Sequence, residues 1–328
     1  SDVGGSVATT DGGDVRITDS TVARRINADG AVPMIKNATV GRSVTASGDI
    51  GGQGGDDGVT NADIGGDVTT TDGGDIRIES GTTVQGDVDV DGSIPVLRDV
   101  DIVGTVRTDG PIGVGDDDGT IRGVVICGSV DAGGRIRTLR DSRVNGSVTA
   151  AGDIGSGDDN NGNGNGNDDG AIRNTTVGGD VAATDGGDLR VRDSAVGGDV
   201  EADRDVLVRK NSTVEGSVEA AGNVVVRNST VEGSVEAAGN VVVRNSTVEG
   251  SVEAGGSLTL KNATIGGELR IPSNNVRCRG NNEIGSDAET CSGYFSDDDN
   301  GGGDDDDNGG GDDDDNGGGD DDGEAEGA

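Results

Sequence analysis

Aliphatic residues recur along this chain at a short, nearly fixed period. Val3, Val22, Val40, Ile64, Val84, Ile102, Ile126, Val144, Val177, Val196, Val214, Val231, Val248 and Ile265 form one series of anchors. A second aliphatic stands four places after each, from Val7 to Leu269. Where no insertion intervenes, the anchors lie 17 to 20 residues apart, and the unit 215–231, EGSVEAAGNVVVRNSTV, recurs unchanged at 232–248. A period this short marks a solenoid, in which each repeat stacks on its neighbours to bury a core that none could close alone.

The pattern inside one unit predicts strands and corners. With Val214 as reference, Val218, Val224 and Val226 are apolar, and alternation through Ser229, Val231, Gly233 and Val235 places those four on an inward face. Gly fills the site two after the anchor in twelve of the fourteen units, Arg24 and Arg42 being the exceptions. Such a site implies a bend or bulge with no room for a side chain. Three places before thirteen of the anchors stands Asn, Asp or Gly. These residues tolerate positive φ, as a tight corner between strands requires. Asn37, Asn174, Asn211, Asn228, Asn245 and Asn262 are thus structural corners. Pro is confined to positions 33, 95, 111 and 272, as expected of a residue that cannot donate to a ladder. The prediction is an all-β parallel β-helix of about 14 rungs over residues 1–271, with rungs ~4.8 Å apart and a rod about 65 Å long.

A longer repeat overlies the short one. Thr9-Thr10-Asp11-Gly12-Gly13-Asp14 returns 61 residues later as Thr70-Thr71-Asp72-Gly73-Gly74-Asp75. Three units carry insertions, all at one place. Ile50, Ile112 and Ile154 precede them, and Val59, Ile121 and Ile172 follow, so both inward contacts are kept and the inserts are expected along one edge. Asp56, Asp57, Asp116, Asp117, Asp118, Asp158 and Asp159 make these loops acidic. Oxygen-rich loops suit Ca²⁺ or Mg²⁺. The other reading is that solvent-facing loops simply tolerate insertion and gather Gly and Asp; no insert matches a known calcium repeat.

Charge sharpens the picture. The chain of 328 residues has 63 acidic and 25 basic groups, a net charge of -38, no His, no Trp, one Tyr and one Phe. That composition alone would suggest disorder, but periodic small aliphatics overrule it over most of the length. Sixteen acidic groups and no basic one fall in 297–328, whose Asp/Gly runs predict a disordered tail. Arg outnumbers Lys, found only at Lys36, Lys210 and Lys261, a pattern suited to molar salt, where self-repulsion is screened. The overall charge argues against nucleic acid or anionic lipid as partner. No apolar run approaches the ~20 residues of a membrane span.

Residues 272–296 are expected to cap the last rung, with Tyr294 and Phe295 as a plug. Cys278 and Cys291 are candidates for a disulfide there if the protein is extracellular, and free thiols otherwise. Cys127 falls at an outward site and is left over. The six corner asparagines are also glycosylation sequons, as is Asn145. A role as acceptors competes with the simpler account that corners need Asn and strands favour Thr.

Catalytic chemistry is sparse. Absence of His removes the commonest general base and the Ser/His/Asp route. No Cys-x-x-Cys pair suggests zinc, and no phosphate loop carries its Lys. Asp14, Asp75 and Asp188 are conceivable acids, but each belongs to a recurring Asp-Gly-Gly-Asp turn. No cofactor is expected, Ca²⁺ aside.

The units Val177-Gly178-Gly179-Asp180-Val181-Ala182-Ala183 and Val214-Glu215-Gly216-Ser217-Val218-Glu219-Ala220, each leading to a short aliphatic strand and an Asn-Ser-Thr-like turn, resemble bactofilins. The resemblance covers residues 3 to about 271. It implies a single-stranded right-handed parallel β-helix that polymerises without nucleotide and helps organise cell shape or the envelope. This chain departs from that pattern in its length, its inserts and its Cys-bearing end. The expectation is a non-enzymatic scaffold associating with itself through its ends. A secreted or cell-surface module that binds Ca²⁺ or a partner through the acidic inserts is the alternative, and the surface is favoured over the cytoplasm.

Overall fold

The computed structural model describes residues 1–52, 58–113, 121–155, 171–272 and 275–285. Asp56, Asp57, Asp116, Asp117, Asp118, Asp158, Asp159 and Cys291 lie outside these residues, as does the acidic segment 297–328. Of the two units in the chain, Ser1–Phe295 and Ser296–Ala328, the first holds every described residue.

Among the described residues there is no helix, and 39 short strands pair only in parallel, gathered into sheets of 25 and 14 strands. Each strand pairs with its counterpart one turn away. Val214, Val231, Val248 and Ile265 form one such column, and Val218, Val235, Val252 and Leu269 another. The fold is a parallel β-solenoid of about 14 turns.

One turn has three sides. Thr213–Val214 forms the first, Val218–Ala220 the second and Val224–Arg227 the third. The second sides make up the 14-stranded sheet, and the first and third share the larger one. Strands such as Met34–Val40 and Val96–Ile102 run unbroken from the third side of one turn into the first side of the next. Val214, Val218, Ala220, Val224 and Val226 point inward and are at most 3% exposed. Burying each valine contributes roughly 1.5 kcal/mol or more, and β-branched side chains suit the pleat. The atoms that cover them belong to adjacent turns, so stability is a property of the stack.

The site two after the anchor differs from the expected inward strand residue. Gly233 is only half-buried. It sits at a corner where a Cβ would lie 2.5 Å from the Gly216 carbonyl oxygen, and at Gly250 it would lie 2.6 Å from that of Gly233. Glycine is required there because one turn's backbone rests directly on the next, not because the strand bends inward.

Length differences are absorbed locally. The 20-residue step from Ile64 to Val84 carries a register shift between Glu79 and Thr82, with Ser80 at φ 45° and Gly81 at φ 69°. The three inserts leave from equivalent points. Ile50, Ile112 and Ile154 each bridge in parallel to the neighbouring turns, and Gly51, Gly113 and Gly155 after them have φ of 81°, 83° and 79°. Val59, Ile121 and Ile172, where the chain returns, are fully buried.

The solenoid runs beyond the boundary expected at 271. Val276–Arg279 pairs with Leu258–Lys261, and Glu283–Ile284 pairs with Thr264–Ile265. Ile284, 6% exposed, is a fifteenth anchor with Asn281 three places before it. Residues 275–285 are therefore strands of a further turn, not a separate cap. Cys278 obscures the pattern by taking the site that Leu260 holds one turn earlier, where it packs partly buried against the core.

Candidate functional site

The corner asparagines stand where positive φ was expected: Asn37 at 50°, Asn174 at 47°, Asn211 at 58°, Asn228 at 50°, Asn245 at 49° and Asn262 at 50°. All six are exposed. Their amides link successive turns, Asn245 Nδ2 donating to Asn228 Oδ1 and Asn262 Nδ2 to Asn245 Oδ1, both at 3.1 Å. Asn174 Nδ2 donates to Asp141 Oδ1 at 2.8 Å. The small residue after each corner, Ser212, Ser229 and Ser246 among them, points inward. Ser229 Oγ donates to the Arg227 carbonyl at 2.9 Å and accepts from the Ser212 N–H at 3.3 Å. In the sequons of Asn37, Asn174, Asn245 and Asn262 the nitrogen that would carry a glycan is also a ladder donor.

The other two corners use the same device with different side chains. Asp188 accepts from the Asp205 N–H at 3.1 Å, Asp205 from that of Asn223 at 2.7 Å, and Asn223 from that of Asn240 at 2.8 Å. At the glycine corner, Asp180 accepts from Asp199, Asp199 from Ser217 and Ser217 from Ser234, at 2.9, 2.7 and 3.1 Å. A short acceptor thus satisfies a backbone donor of the next turn that would otherwise lack a partner. Asp14 and Asp75 do likewise, accepting from the Ala31 and Ser93 N–H groups at 2.9 and 2.6 Å. The conceivable catalytic carboxylates are all engaged in this stacking.

The proposed metal loops and Cys291 fall outside the described residues. Among the described residues no three His, Cys, Asp or Glu side chains gather as metal ligands. No helix there is long and apolar enough to cross a membrane. Cys278 is disulfide-bonded, and Cys127 is exposed and free.

Stacking also creates a feature that periodicity did not reveal. From Arg98 to Arg279, ten successive turns place a basic residue at the same point of the third side. Acidic neighbours temper part of this column. Arg122 and Arg140 lie 3.5 and 3.3 Å from Asp141, and Arg192 lies 3.4 Å from Asp193. Arg140 Nε, although close to Asp141, lacks hydrogen-bond alignment. Further on Asn replaces Asp at the corner, and among the described residues no carboxylate pairs with Arg227, Arg244 or Lys261. Burial first, and then the charge of Arg227, holds the Arg209 guanidinium below its ordinary pKa; burial and Arg244 do the same to Arg227.

The second side carries the opposite column. Glu201, Glu219, Glu236 and Glu253 stack in register and are exposed. They line a groove of ≈ 420 Å³ whose floor includes Ala220, Ala221, Ala237 and Ala238. Sequence reading missed both columns, although the phrase Val-Glu-Ala…Val-Arg-Asn, repeated with the period, was their signal. No protein-family model matches this chain, and comparisons with curated proteins and with solved structures find no match.

Proposed function

We propose that this protein is a non-enzymatic structural scaffold that associates with itself through the ends of its solenoid and contributes to cell shape or envelope organisation. The observation that carries this reading is the register of the stack, in which the strands of each turn pair in parallel with those of the next. A stack of this kind presents a row of unpaired N–H and C=O groups at whichever turn is its last, and such a row is a template for another strand. Use of the corner carboxylates and amides in stacking, and the sequence resemblance to bactofilins, support the same reading. Electron microscopy of the full chain tests it: filaments one solenoid wide are expected. Isolated particles at every concentration would end the proposal.

A second reading has its own support in the shared departure point of the inserts at Gly51, Gly113 and Gly155. Acidic loops leaving one edge make a binding surface for Ca²⁺ or a partner. Calorimetric titration with Ca²⁺ separates the readings: binding lost on deletion of the three inserts, with an unchanged β spectrum, favours the module. No heat with the intact chain removes Ca²⁺ from consideration.

A further inference from the structure

Four consecutive turns carry both charge columns at once. From Glu201 with Arg209 to Glu253 with Lys261, each glutamate is followed eight residues later by a basic residue. The two members of each pair lie in different sheets, on different sides of the turn. Both columns rise by one turn per step, about 4.8 Å. The acidic column of one molecule therefore matches the basic column of another in spacing without adjustment.

The flanking residues match as well. Two places after Glu219 and Glu236 stand Ala221 and Ala238, exposed in the groove lining; two places before Arg227 and Arg244 stand Val225 and Val242, half-buried. Solenoids set side by side with parallel axes bring strands of opposite direction face to face. Carboxylate then meets guanidinium, and Ala meets Val. Antiparallel axes would set Glu on Val and Ala on Arg.

From this complementarity we propose that the four turns form a lateral self-association surface, the basic column of one copy seated in the glutamate groove of a second with axes parallel. The proposal rests on the scaffold reading and adds a sideways contact to the end-to-end one. The pair keeps one unused column of each sign, one on each copy, so the contact is heterologous and propagates into an array or closes into a ring.

The fold does not otherwise need such columns. Earlier on the second side, Asp89, Arg107 and Asp131 alternate in register, with Arg107 lying 3.9 and 3.7 Å from the two carboxylates. From Glu201 to Glu253 the second side stacks Glu on Glu instead, and among the described residues no carboxylate pairs with Arg227, Arg244 or Lys261. The net charge of -38 opposes approach. At ionic strength near 0.15 M, however, the Debye length is about 8 Å, which screens the bodies more than it screens groups in contact. At about 1 M it falls to roughly 3 Å and the contacts weaken too.

Sedimentation velocity of the full chain tests the proposal. Lateral association is expected to add faster-sedimenting species at about 0.15 M salt that are lost at about 1 M, whereas end-to-end species persist. R227E/R244E and E219R/E236R should each associate roughly tenfold or more weakly than wild type. Both reversals place opposite charges within a column, so the β spectrum should be unchanged, and circular dichroism checks this. Labelled R227E/R244E should bind E219R/E236R at least tenfold more tightly than it binds itself, because the mixture restores one complementary contact. Variants that associate like wild type, or a mixture no tighter than its components, overturn the proposal. So does a wild-type chain that stays monomeric while binding an added anionic polymer through the basic column. Filaments that lengthen but never lie side by side overturn the lateral contact and leave the scaffold reading intact, whereas single particles throughout defeat both.

Discussion

Asn228 does two jobs at once, as Asp141 does at an earlier corner. Its backbone holds φ at 50°, and its side-chain oxygen accepts from Asn245 in the next turn. A β-branched residue in the left-handed region costs about 1–2 kcal/mol, and the lost bond about 1 kcal/mol more. Glycine gives up only the bond, since it enters positive φ freely. Asn228→Val should therefore lower the unfolding midpoint in denaturant clearly more than Asn228→Gly. Equal effects would mean that the hydrogen bond, and not the backbone conformation, selects asparagine. Gly233 answers to a different constraint, the carbonyl of Gly216 2.5 Å from where its Cβ would be. Both residues punctuate the sequence in the same way, and only their geometry tells the conformational requirement from the steric one.

At the scale of the element, the turn is the unit that can be added or removed. Residues 232–248 repeat 215–231 letter for letter, and their strands pair in register with both neighbours. Excising 232–248 should leave a folded solenoid one turn shorter, with the same circular dichroism per residue and a modestly lower melting temperature. Excising eight residues from the same stretch leaves a turn too short to form all three sides, and the product should lose β structure at that turn and the stacking across it. Survival of the second variant and loss of the first would refute stacking by register. The inserts obey the same logic: they enter after Ile50, Ile112 and Ile154, where the backbone has already reached an edge and the inward contacts resume at Val59, Ile121 and Ile172.

For the whole molecule, electrostatics works against the fold. A net charge of -38 and columns of like charge on two sides repel within one chain. Packing of the aliphatic column offsets this repulsion without removing it. Calorimetric melting should accordingly shift to higher temperature as NaCl rises from about 0.05 to 1 M, where the screening length drops from well over 10 Å to about 3 Å. R227E/R244E should melt higher than wild type at the low end, because Arg209 and Lys261 then flank acidic groups. A melting temperature that falls with salt would show that attraction between unlike charges dominates instead.

Period, inward face and corners were determined by local sequence, because each depends on residues within one turn: the alternation of Val224 and Val226 about Val225, and an Asn that tolerates positive φ. The same reading stopped at 271, since Cys278 does not look like the leucine whose site it takes. Where inserts break the period, the charge columns were decided by the tertiary structure. Arg140 and Arg173 are 33 residues apart with an insert between them, yet Leu139–Arg140 and Ile172–Arg173 pair directly. Spacing along the chain varies while spacing along the stack cannot, because backbone hydrogen bonds hold adjacent strands at about 4.8 Å.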